Sequence, residues 1–322
     1  MERSLDRRAL LLLTGVAVLA GCTSSGSGPE ADGQSSTGRQ SPDSGAGGSG
    51  SAEAAPTDTT TTPTTQGQSG VATSTAGSLP TSPAASPHSS AAAPTWAPDA
   101  NDVHPEVKQT AARYIETTTS PPVQIVFSQY GGILSSTASV LVVTHPWPPA
   151  ADPATGATYD VRLVRSGSTW QVTENHPSTP AGPAASLSAS ARQVLANPRI
   201  ELPPAARADI ASGQVHDTVL RAMLALSNSY RLGISVVRSG HPINVFGTTR
   251  ASDHPVGRAF DTWRIDDQPV VAASTPKALV TAYMRAVAAL GSYNVGGPYQ
   301  LAGATYFTDD THHDHVHAGF TS

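Results

Sequence analysis

Apolar positions are unevenly spread along this 322-residue chain. Ala9 to Ala20 form a continuous apolar run, too short to span a bilayer. From Thr23 to Thr95 the only larger aliphatics are Val71 and Leu79. Patterned sequence begins near Trp96. Asp102 is placed to cap a helix with Pro105 in its first turn, and Val107, Ala111, Tyr114 and Ile115 make its apolar stripe. Alternating runs then predict strands at Val123–Phe127, Ser139–Thr144, Asp160–Val164 and Thr169–Thr173, the last two joined by a turn at Arg165–Ser168. Pro177 to Ser186 is read as a short linker. Beyond it, helices are expected at Leu187–Ala196, Val215–Tyr230 and Thr275–Leu290. The second of these carries Val215, Val219, Met223, Leu226 and Tyr230 on one face. Strands are expected at Gly233–Arg238, Ala259–Ile265 and Asp314–Phe320. Helices and strands mix without βαβ regularity, so the fold class is α+β.

Composition sharpens this map. Gly (28) and Pro (27) are abundant, while charged residues are 13% and aromatics 5%, about half the charged fraction of an ordinary globular chain. The Ser/Thr/Pro/Gly/Ala-rich stretch 23–95 cannot bury enough apolar area to offset chain entropy and is expected to be a disordered linker. A coil of that length reaches about 45 Å on average. A net charge of -5 excludes a polybasic nucleic-acid binder. The single cysteine, Cys22, excludes an intrachain disulfide framework and a Cys-rich zinc site.

Residues 1–22 read as a signal peptide, with Arg3, Arg7 and Arg8 before the apolar run. Leu19-Ala20-Gly21-Cys22 resembles the bacterial lipobox. That resemblance implies lipidation of Cys22 and anchoring to the extracytoplasmic face of the membrane, with the linker lifting the rest towards a cell wall. Arg7-Arg8 is compatible with either twin-arginine or general secretory export.

The helix and strands over 96–176 resemble the cystatin-like α+β fold shared with nuclear transport factor-like domains. No catalytic constellation is apparent there. His104, His145 and His176 read as solvated, and the module reads as a spacer or a protein-docking domain.

The chemistry is concentrated in residues 187–322. Positions 252–261 read Ser-Asp-His-Pro-Val-Gly-Arg-Ala-Phe-Asp and positions 314–317 read Asp-His-Val-His. Imidazole and carboxylate suit Zn²⁺, and three protein ligands with an open fourth position make a catalytic zinc. His254 ends a loop. Asp261 follows on a strand after a turn made compliant by Gly257, and His317 comes from a second strand. His315 shares the strand parity of His317, so both are expected in one pocket.

These segments resemble the M15/LAS zinc peptidases, which include D-Ala-D-Ala carboxypeptidases with a hedgehog-like fold. Ser252, His254, Gly257, Ala259 and Asp261 occupy every fixed position of the first motif, S-x-H-x-x-G-x-A-x-D. Asp314 and His317 fit the second, E/D-x-x-H, and His315 with His317 its H-x-H form. The resemblance implies one Zn²⁺ per chain held by His254, Asp261 and His317. Asp314 matches the general base, His315 the group beside it that would steady the tetrahedral intermediate, and Ser252 a support of the ligands. Many members carry Ser-Gly-Tyr-Arg ahead of the first motif. Here the run is Arg238-Ser239-Gly240-His241, so Arg238 is the candidate substitute for the oxyanion-binding arginine, with Arg250 and Arg258 as others. Asp309, Asp310, His312 and His313 read as a solvated loop. The implied activity is a membrane-anchored zinc peptidase hydrolysing peptidoglycan stem peptides. The alternative is a wall-binding or regulatory lipoprotein that keeps the fold without turnover.

Overall fold

A computed structural model describes residues 92–322. The signal peptide, Cys22 and nearly all of the expected linker lie outside the described residues. The described residues group as one compact unit. The fold is α+β. A first helix, α1 (Pro105–Thr118), covers one face of an antiparallel sheet of four strands in the order β1 (Val123–Ile133), β2 (Thr137–Pro146), β3 (Thr158–Ser166), β4 (Thr169–Pro177). Val107, Ala111, Ala112 and Ile115 of α1 pack on Val140, Val142, Val161 and Leu163 of the sheet. The strands run longer than the sequence pattern predicts; β1 and β2 are buried on both faces, so strict alternation is lost there, while β4 is mostly exposed.

Asp102 does not cap α1. His104 holds the N-cap position with φ of 52°, and the Asp102 carboxylate instead accepts from Asp99 N and pairs with Lys108. Residues 177–186 have no helix or strand beyond Pro177 but are tied to the body: Ser178 N donates to Thr158 O at 2.7 Å and Ala184 N to Ala211 O at 2.9 Å.

The second half builds a larger sheet, with path β10-β9-β11-β7-β6-β5 and β8 paired to β7. Its elements are α2 (Ala189–Ala196), β5 (Ile200–Glu201), α3 (Pro204–Ala211), α4 (Asp217–Ser227), β6 (Leu232–Val236), β7 (Ala259–Ile265), β8 (Gln268–Pro269), α5 (Lys277–Ala289), β9 (Asn294–Gly296), β10 (Tyr306–Phe307) and β11 (Val316–Gly319). The β5–β6 and β9–β10 pairs are parallel and the others antiparallel. Val219, Met223 and Leu226 of α4 and Val280, Tyr283 and Met284 of α5 form the core with Ile234, Phe260 and Val316. The expected face of α4 is thus the buried one, with Tyr230 just beyond the helix end. The helix α3 and the short strands β5, β9 and β10 carry too few patterned residues to be read from periodicity.

The two halves share an interface on the far face of the first sheet from α1. A bulge between Ile125 and Phe127 switches the faces of β1. Ile125 joins the core under α1. Phe127 stacks on Trp263 of β7, ring centroids 4.5 Å apart. No described helix is long and apolar enough to cross a membrane.

Candidate metal centre

Three segments converge on one point. His317 on β11 stands directly opposite Asp261 on β7, so their side chains leave the sheet on the same face. His254 reaches the same point from a loop closed by the bond from Gly257 N to His254 O at 2.8 Å. Gly257 has φ of 73°, and a Cβ there would sit 2.1 Å from Gln214 O. Only glycine fits this turn.

His254 Nε2 lies 3.1 Å from His317 Nδ1 and 3.2 Å from Asp261 Oδ1, and His317 Nδ1 lies 3.0 Å from Asp261 Oδ1. All three residues are buried. His254 Nδ1 donates to Val237 O at 2.8 Å. Its Nε2 lone pair therefore points at the other two atoms. Tetrahedral ligands about 2.0–2.1 Å from a zinc ion are about 3.3 Å apart. The triangle has those edges and that donor set, so these residues fit a divalent cation.

Around the triangle, His241 stacks on His254 with centroids 4.1 Å apart and 15° between the rings. Its Nδ1 donates to Pro242 O at 2.9 Å, and His241, His254 and Asp261 also present ligand atoms within 4.8 Å of one another. Ser252 Oγ accepts from His254 N at 3.4 Å and lies 3.4 Å from His241 Nδ1, a supporting place. Burial, with His254 adding to it, pushes His241 well below the ordinary imidazole range. Burial also lowers His317, to about 4. Burial acting alone would raise Asp261, but His254 and His315 hold it well below the usual carboxylate range. A neutral His317 beside an ionised Asp261 is the pairing of protonation states a metal needs.

Asp314 departs from its expected place. Its carboxylate is fully buried and does not line the cavity. Oδ1 accepts from His315 Nδ1 at 2.6 Å, and Oδ2 accepts from Lys108 Nζ of α1 at 2.5 Å. Burial would raise this carboxyl, yet Lys108 and His315 hold it well below its ordinary range. With both oxygens engaged, Asp314 orients His315 rather than facing a substrate. His315 does line the cavity, with Nε2 3.7 Å from Asp261 Oδ2. Burial lowers His315, but Asp261 and Asp314 outweigh it and the net shift is upward.

Arg238 is likewise not in the cavity. Its backbone N and that of Ser239 donate to the buried Asp209 carboxylate of α3, at 3.1 and 2.8 Å. The Arg238 side chain belongs to a separate groove beside Pro255. Arg258 pairs with Asp253 at 2.9 Å. Arg250 is the arginine that lines the cavity.

The cavity has a volume of about 460 Å³. Its walls come from both halves of the unit: Tyr130 to Leu134 of β1 and its turn on one side, Phe246, Phe307 and His312 on the other. The 309–313 loop is not simply solvated. His312 packs its ring 5.1 Å from His315 and 5.7 Å from His317, its Nδ1 donating to Asp309 at 2.7 Å. Gly296 makes room, since a Cβ there would meet His312 Cδ2 at 2.7 Å. His313 Nε2 accepts from Val103 N at 3.0 Å. Asp102, His313 and Asp314 form a second cluster of ligand types, but Lys108 already supplies its cation.

Sequence reasoning missed Lys108 and Gln129. Gln129 Nε2 donates to Asp261 Oδ2 at 2.7 Å. The 96–176 segment, read as devoid of site chemistry, thus supplies two polar contacts to the site. One signal was present for Lys108: with Ala111, Ala112 and Ile115 it falls on the buried stripe of α1, where a lysine needs a partner. Gln129 carried none.

Comparisons of the chain with family models, with curated proteins and with solved structures find no match.

Proposed function

We propose that this protein is a zinc-dependent peptidase of the M15/LAS type, with a hedgehog-like C-terminal half. It would act on peptidoglycan stem peptides from a lipid anchor at Cys22. The observation that carries the reading is the triangle of His254 Nε2, Asp261 Oδ1 and His317 Nδ1, with edges of 3.0–3.2 Å and with Asp261 and His317 on the wall of an open cavity. Zinc bound there would polarise a scissile carbonyl and make water acidic enough to ionise near neutral pH. His315, within the cavity and held by Asp314, is the group positioned to take a proton from the attacking water and return it to the leaving amine. Asp314 keeps Nδ1 of His315 protonated, so that Nε2 does the exchange. Arg250, on the cavity wall, supplies a positive charge for a substrate carboxylate or a developing oxyanion.

One observation favours the alternative, a wall-binding protein without turnover: Arg238 does not line the cavity. Purified chain with its signal segment removed, loaded with zinc, separates the two. Cleavage of stem peptides or cross-linked muropeptides, lost in His254→Ala, supports the peptidase. Zinc bound at one per chain with no cleavage of any muropeptide supports the binding protein.

A further inference from the structure

We infer that Gln129 is a positioning residue of the metal centre, delivered from the first sheet to fix which oxygen of Asp261 meets the metal. The inference rests on the metal-centre reading above.

Asp261 has two carboxylate oxygens in different surroundings. Oδ1 faces His254 and His317, while Oδ2 accepts from Gln129 Nε2 at 2.7 Å. A carboxylate only accepts, so the amide nitrogen of Gln129 must face it. This bond occupies Oδ2 and leaves Oδ1 as the ligand atom.

The delivery is built into the two sheets. Phe127 and Gln129 are alternate residues on β1, and Asp261 and Trp263 are alternate residues on β7. Phe127 stacks on Trp263 and Gln129 bonds Asp261, so the two same-face pairs meet in step. The bulge after Ile125 turns this face of β1 towards β7.

Packing does not explain the glutamine. Gln129 is fully buried, and its Oε1 has no hydrogen-bond partner. An unpaired buried acceptor costs about 1–3 kcal/mol, and an apolar residue of equal length would avoid that cost. The residue is accounted for by what its Nε2 does to Asp261.

The test compares the chain with its signal segment removed against Gln129→Met and Gln129→Leu. Zinc affinity is read by competition with a chromophoric chelator, site geometry by the visible spectrum of the Co²⁺-substituted protein, and stability by the thermal midpoint with chelator present. The expected result is a loss of about 10- to 100-fold in zinc affinity with a changed Co²⁺ spectrum, and a midpoint in chelator equal to or above that of the parent. Parent-like zinc affinity and spectrum in both variants would overturn the inference while leaving the metal centre standing. A fall in midpoint that accounts for the whole loss of affinity would overturn it too, by reducing Gln129 to a packing residue. A parent chain that binds neither ion would overturn the metal-centre reading and this one with it.

Discussion

Asp261 and His317 face one another across β7 and β11, their Oδ1 and Nδ1 atoms 3.0 Å apart. Residues 56 positions apart in sequence are thereby made neighbours by strand register. His254 then needs only a short loop to close the triangle. Replacing His317 by Ala should leave the fold intact, since its contacts are to the site rather than the main core. Metal content by plasma mass spectrometry should fall from about one zinc per chain to a trace, because the triangle loses one of its three ligands. Undiminished zinc in His317→Ala would refute the assignment.

His315 and Asp314 should separate binding from turnover. In His315→Gln, zinc content should stay near that of the parent while muropeptide cleavage falls by about 10²- to 10⁴-fold. Asp314→Asn should lower cleavage less, because His315 remains. Equal activity in His315→Gln and parent would remove His315 from the mechanism.

The Asp314–Lys108 pair predicts an acid limb in stability. Burial opposes ionisation of Asp314, but Lys108 and His315 prevail and its folded value lies below the unfolded one. The stabilisation is therefore present above the ordinary carboxylate range, about pH 4, and is lost as pH falls through the folded value. Thermal midpoints in chelator should drop as the solution is taken below about pH 4. Asp314→Asn should start lower at neutral pH and show a shallower drop. An acid limb as steep as the parent's would show that other carboxylates cause it.

Asp209 holds the segment that carries His241. It is fully buried and accepts from the backbone nitrogens of Arg238 and Ser239. Asp209→Ala leaves two buried donors without this acceptor and should cost about 1–3 kcal/mol in urea unfolding. Near-parent stability would mean that water replaces the carboxylate.

Gly257→Ala should be more damaging than its size suggests. The residue has φ of 73°, and its added Cβ would collide with Gln214 O. A loss above about 2 kcal/mol is expected, with weaker zinc binding because His254 sits on the same turn. Parent-like unfolding and zinc binding would show that the turn can relax.

Much of the candidate site is legible in the amino-acid sequence. The interval from His254 through Gly257 to Asp261, and the H-x-H at 315–317, are local patterns. Loop compliance and strand parity alone bring those side chains to one side. The helix α4 and strand β7 are legible for the same reason, since their apolar periods are long enough to read. The roles of Asp314 and Arg238 are not. Asp314 has the right chemistry to act as a base, but a lysine 206 positions away claims one of its oxygens. Arg238 lies next to the Ser-Gly of the expected motif, but Asp209 draws its backbone towards α3.

Residue order alone was enough for the α+β class and for the local spacing of the candidate metal-ligating side chains. These depend on periodicity, composition and near neighbours. That the first sheet joins the site is a tertiary outcome. It depends on a bulge after Ile125, which reverses the faces of β1 and sets Phe127 on Trp263 and Gln129 on Asp261. A bulge depends on backbone pairing with a distant strand, and no local pattern of residue types encodes it.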